Sequence, residues 1–146
     1  MFYIAPPFGN YIYLPYTTQI KGSYTLEKRP GLFIQILKTL RYDFDRGGWR
    51  NKIGLRNPGL DYAIQNYNDN HIVSIAVLNK NEIPIIEKKI PKNMNIELNV
   101  SCPNAEKEMI NDDLDIFLNK ERKYRIIKLS PTCETRLIDS YYKQGF

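Results

Sequence analysis

Residues 95–104 read Asn-Ile-Glu-Leu-Asn-Val-Ser-Cys-Pro-Asn, alternating like a strand and then ending in groups that build no core. Asn99 and Asn104 can each donate and accept hydrogen bonds, which suits a planar ligand edged with carbonyls and N–H groups. The thiol of Cys102 has the chemistry of a general base, if its pKa lies near the working pH, or of a nucleophile. Two other segments deliver polar groups in the same way: Asn51 to Asn57, and Ile126 to Pro131, where Lys128 leaves an apolar run. A lysine so placed meets an anion or an electron-rich ring nitrogen. Taken singly, each has a plainer reading. Asn51, Asn57 and Asn104 lie near Gly or Pro, where Asn serves turns. A lone Cys is commonly an inert small side chain, and His71, the single histidine, reads as structural or exposed.

The elements that must position these groups follow from periodicity. The N-terminal Tyr-, Ile- and Thr-rich stretch, broken by Pro6, Pro7, Gly9 and Pro15, predicts short strands joined by turns. Phe33, Ile36, Leu37 and Leu40 fall at i, i+3, i+4 and i+7, which predicts a helix with one apolar face across 32–44. Residues 47–61 read as an irregular Gly-rich loop opening into a second helix at 60–68. Beyond it come a β-branched strand at 71–78, an interrupted helix or loop at 82–93 and a strand at 94–100. A helix at 109–121 carries Ile110, Leu114, Phe117 and Leu118 on one side, with Asn111, Asp112 and Asp113 in its first turn. A strand at 124–129 then leads to a last helix with Ser130 as its N-cap and Gly145 as its stop.

Strands alternating with helices imply parallel pairing, either in a doubly wound sheet or in a β/α barrel. No G-x-G-x-x-G follows the first strand, so a dinucleotide-binding sheet is disfavoured and the barrel preferred. A barrel carries its chemistry at the C-terminal strand ends, where the three polar segments fall.

The chain has 146 residues, 42% of them hydrophobic and 25% charged, which fits one soluble domain spanning 1–146. No apolar run approaches the roughly 18 residues of a membrane span, and no secretory leader pattern opens the chain, so a cytoplasmic, membrane-free protein is expected. The net charge of +5 comes from runs that mix both signs, which argues for a solvated surface and against a nucleic-acid partner. Cys102 and Cys133 show neither disulfide spacing nor metal-site spacing, so no metal is expected.

The segment from Glu97 to Asn104 resembles the signature of the dihydroorotate dehydrogenase family, in which a barrel strand ends in Asn-x-Ser-Cys/Ser-Pro-Asn. Gly22 to Gly31, Asn51 to Asp61 and Ile126 to Pro131 are similar to further segments of that family and occur in its order. The resemblance implies a β/α barrel flavin enzyme with FMN as cofactor and dihydroorotate as substrate, working in pyrimidine synthesis. It implies Cys102 as the catalytic base, Asn99 and Lys128 beside the flavin, and Asn51, Gly54, Leu55, Asn99 and Asn104 at the substrate. One departure stands out, because many soluble members carry lysine where this chain has Gly22. A full (β/α)8 barrel takes roughly 250 residues. The expectation is therefore the N-terminal part of a TIM barrel, about the first five strands, closed by further chain, by a homo-oligomer or by a partner. Two other readings stay open: a related flavin barrel acting on a planar substrate such as dihydropyrimidine, or a truncated remnant that does not catalyse.

Overall fold

A computed structural model describes residues 2–101 and 114–146. Five parallel strands form one sheet: β1 (Phe2–Ile4), β2 (Thr17–Tyr24), β5 (His71–Ala76), β6 (Ile96–Asn99) and β7 (Arg125–Lys128), side by side in that order. Between β2 and β5 the chain inserts helix α1 (Leu32–Thr39), the antiparallel hairpin β3 (Arg41–Asp43) and β4 (Gly48–Arg50), and helix α2 (Leu60–Gln65). Helix α3 (Ile83–Lys89) connects β5 to β6, and α4 (Thr135–Gln144) follows β7.

Every residue of β5 and of β6 is buried, as central strands covered on both faces must be. Alternation sends Ile75 and Leu98 to the helix side, where they join Leu60 and Ala63 of α2 and Ile83 and Ile86 of α3 in one core. Ser74, Glu97 and Asn99 point to the other side. That side is concave. Flat strands at about 4.8 Å spacing would hold β1 and β7 about 19 Å apart, yet the rings of Tyr3 on β1 and Tyr124 just before β7 meet edge to face at 6.3 Å. The sheet is thus curled into a half-barrel whose free edges approach at their N-terminal end, as a partial β/α barrel requires.

Connection β1 to β2 is made by residues 5–16 with one 3-10 turn and no α-helix. It lies so close to the sheet that a Cβ on Gly9 would stand 2.2 Å from the carbonyl oxygen of Ile20 and 2.4 Å from that of Ile4. Glycine alone permits that approach.

Three expectations about elements need correction. The helix over 32–44 ends at Thr39, and the chain turns into a hairpin. Its apolar face is not buried as a unit: Phe33 and Leu37 remain 80% and 78% exposed, while Ile36 and Leu40 are half-buried. Polar contacts tether α1 instead, from Gln35 Nε2 to the Lys52 carbonyl at 3.0 Å and from the Lys52 amide to Thr39 Oγ1 at 3.0 Å. Secondly, the loop expected at 47–61 begins as strand β4. Thirdly, Ser130 does not cap α4, which starts at Thr135 with Glu134 in the cap position. Ser130 Oγ instead closes a local turn, accepting from the Thr132 amide at 3.3 Å and lying 2.8 Å from Thr132 Oγ1. Of the helix expected at 109–121, the described part is a 3-10 turn at Leu114–Phe117, which buries Leu114 and Phe117; Ile110 and residues 111–113 lie outside the described residues.

Candidate functional site

The concave face gathers its polar groups at the C-terminal strand ends. Asn99 of β6 is paired in register with Lys128 of β7, so their side chains leave the sheet on the same face. Both line a cleft of about 820 Å³ whose wall also includes Ser23, Asn51, Leu55 and Asn57. That volume lies within the roughly 300–1,000 Å³ typical of small-molecule sites.

Asn99 is 7% exposed and held on both sides. Its Oδ1 accepts from the Ser101 hydroxyl at 2.7 Å and the Ser101 amide at 3.2 Å, and its Nδ2 donates to Ser23 Oγ at 2.8 Å. Ser23 Oγ lies 2.9 Å from Ser74 Oγ, and Ser74 donates to Glu97 Oε1 at 2.6 Å. Four residues on three strands, with Ser101 just beyond β6, therefore form one hydrogen-bonded chain, which ends on Glu97, a residue 4% exposed. Ser23 reaches this face because the pairing of β2 with β5 slips between Lys21 and Tyr24, inserting an extra residue that turns Ser23 inward.

Gly22, beside it, has φ +136° and no room: a Cβ there would stand 2.5 Å from the Ser74 carbonyl oxygen. Asn10 clamps the same residue, donating from Nδ2 to its carbonyl and accepting from its amide, each at 2.8 Å. This backbone path leaves no room for a side chain at 22. Lys21, paired in register with Val73, also lines the cleft, and its charge acts on His71.

The loop 51–59 forms the other wall. Gly54 (φ +67°) and Leu55 (φ +55°) are consecutive left-handed residues, a conformation rare for Leu. Leu55 lines the cleft, whereas Gly54 is exposed and outside the lining. Asn51 is exposed on the wall, and its Oδ1 accepts from the Ile53 amide at 3.3 Å. Asn57 joins this loop to the end of β2: Nδ2 donates to the Leu55 carbonyl at 2.7 Å and to Thr25 Oγ1 at 2.9 Å, and Oδ1 accepts from the amides of Gly59 at 2.8 Å and Thr25 at 3.2 Å. Its side chain has the turn role that its neighbours Gly and Pro imply.

Of the sequence-predicted site residues, the structure brings Asn51, Leu55, Asn99 and Lys128 to one cleft. Cys102 and Asn104 lie outside the described residues. His71 is buried, 4% exposed, with Nδ1 3.2 Å from Asn68 Oδ1. Burial, and then the positive charge of Lys21, lowers its pKa from 6.5 to about 4, so the ring is neutral near pH 7. Ser23, Ser74, Glu97 and Asn10 escaped sequence reasoning. The one available signal was an acidic residue inside a run that otherwise alternates as a core strand.

No family model matches the chain, and no solved structure matches it at a significant level. Curated relatives do. Over 73 residues the chain is 38% identical to the Pediococcus pentosaceus protein named "Putative dihydroorotate dehydrogenase A (fumarate)", covering 42% of this chain and 24% of that protein. A like-named protein of Streptococcus agalactiae is 39% identical over 76 residues, 44% of this chain and 24% of its own length. The catalytic subunit of dihydroorotate dehydrogenase B (NAD(+)) of Petrotoga mobilis is 30% identical over 138 residues, 75% of this chain and 41% of that protein. The chain thus spans between a quarter and about two fifths of the length of these relatives. It is similar to dihydroorotate dehydrogenases over part of its length, as the resemblance of its motifs implies.

Proposed function

We propose that this chain carries the ring-facing part of an FMN-dependent site that oxidises dihydroorotate to orotate in pyrimidine synthesis. The observation that carries the reading is the pairing of Asn99 with Lys128 at the C-terminal strand ends, on the concave face and within one cleft. The residues present suit a flavin: a cationic lysine, a carboxamide whose orientation is held from two sides, and an apolar wall at Leu55. FMN, when bound, supplies a two-electron acceptor that no side chain provides. Lys128 sets a fixed positive charge beside it, which favours delivery of negative charge to that place. Asn99 orients the ring edges, and Asn51, Asn104 and the backbone at Leu55 hold the substrate. Cys102 takes the proton from the substrate carbon next to the one that gives up hydride.

The test uses the purified chain. Added FMN should lose its fluorescence on binding, and anaerobic dihydroorotate should then bleach the visible flavin band. Cys102→Ala should keep the flavin and bleach at least 100-fold more slowly, the low end of what a positioned general base contributes. Lys128→Met should weaken FMN binding. A chain that takes up no FMN, or a Cys102→Ala protein that bleaches at the wild-type rate, would sink the reading.

A further inference from the structure

The hydrogen-bonded chain from Ser101 to Glu97 has a direction, and the direction can be deduced. Ser74 has one hydroxyl proton and gives it to Glu97 Oε1. The 2.9 Å contact between Ser23 and Ser74 must therefore be donated by Ser23. Ser23, its single proton spent, can only accept from Asn99 Nδ2, and it does. The far end agrees, since the backbone amide of Ser101 can only donate and Asn99 Oδ1 receives it. Every hydroxyl proton on this path points inward toward Glu97. Ser23, which lines the cleft, is thereby left with one oxygen lone pair, and no proton, to offer a ligand.

We propose that Glu97 is a positioning residue: through Ser74 it holds the Ser23 hydroxyl as a hydrogen-bond acceptor toward the cleft. The second Nδ2 proton of Asn99 then stands beside it as a donor. An acceptor next to a donor matches a planar ring bearing adjacent N–H and carbonyl groups, a lactam or imide edge. The ligand part of this inference rests on the function proposed above; the hydroxyl direction does not.

Removing the carboxyl group reverses the path. In Glu97→Met the Ser74 proton loses its acceptor and turns to Ser23, so the Ser23 proton is driven into the cleft. In Ser74→Ala the Ser23 proton is likewise released. In Glu97→Gln the amide oxygen still accepts from Ser74 and the path survives. FMN affinity should fall at least tenfold in Glu97→Met and in Ser74→Ala and stay within threefold of wild type in Glu97→Gln. The double variant should be no worse than the worse single one, because both act through one hydroxyl. Far-UV circular dichroism and melting serve as the fold control.

A second measurement needs no ligand. In the ¹⁵N-labelled apoprotein, the Asn99 side-chain amide resonances should shift in Glu97→Met and Ser74→Ala and hold in Glu97→Gln. If wild type binds no FMN, the proposed function fails and the amide resonances alone decide this inference. Should Glu97→Gln behave like Glu97→Met in a folded protein, or Glu97→Met leave the amide unmoved, the inference is overturned.

Discussion

Asn57→Ala tests how the site wall is attached to the sheet. The side chain makes four hydrogen bonds, two donated and two accepted, joining the end of β2 to the loop 51–59. Intramolecular hydrogen bonds contribute roughly 0.5–1.5 kcal/mol each, net of water. Thr25 is 1% exposed, so its amide would be left unsatisfied in a dry place, whereas half-buried Asn57 lets water replace part of the rest. The expected loss is about 2–4 kcal/mol, read as a lower urea midpoint at unchanged slope. Asn57→Asp should fall between, because it keeps both accepted bonds but sets a second carboxylate oxygen against the Leu55 carbonyl. The control is Arg56→Ala: Arg56 makes one exposed 3.3 Å bond to the Pro30 carbonyl and should lose about 0.5 kcal/mol or less. An Asn57→Ala protein within about 1 kcal/mol of wild type, or an Arg56→Ala protein equally weakened, would refute the reasoning.

His71 should give stability a pH dependence of definite sign. Its folded pKa, about 4, lies below its ordinary 6.5, so the unfolded chain binds the proton first. Its contribution is whole above pH 6.5 and drains away as pH falls to about 4, amounting to about 3 kcal/mol. The difference in unfolding free energy between wild type and His71→Asn, followed from pH 7 to pH 4, should trace that loss; a flat difference curve contradicts it. Gly22→Ala should destabilise by about 2–4 kcal/mol, since positive φ and a 2.5 Å approach to the Ser74 carbonyl oxygen act together. A thermal melt within error of wild type would show that the backbone relaxes there. Leu37→Ala, on the exposed face of α1, should change stability by less than about 0.5 kcal/mol, while Phe117→Ala, with a fully buried ring, should lose about 3–5 kcal/mol. Equal losses in denaturant unfolding would mean that α1 is covered.

The alternation of "NIELNV" and the apolar run "HIVSIA" identified β6 and β5, because buried parallel strands leave an unambiguous apolar signature. Asn99 and Lys128 were legible as polar groups at strand ends, and the structure places both at the cleft. Helix α1 was legible as an element but not in its burial: spacing reports which residues share a face, and only neighbours decide whether that face is covered. The Ser130 cap failed for a related reason, since its hydroxyl can serve a local turn as well as a helix end.

What the sequence by itself determined is the set of parallel strands and two of the polar groups at their ends, since both are written in local periodicity. Tertiary structure alone decided the rest of the site. Ser23 meets Ser74 51 residues away and Asn99 76 residues away, and it does so only because the pairing of β2 with β5 slips by one residue. A one-residue change in register exchanges the two faces of a strand. Local sequence does not record register. The chain from Asn99 to Glu97 therefore came into view only once the strands were laid side by side.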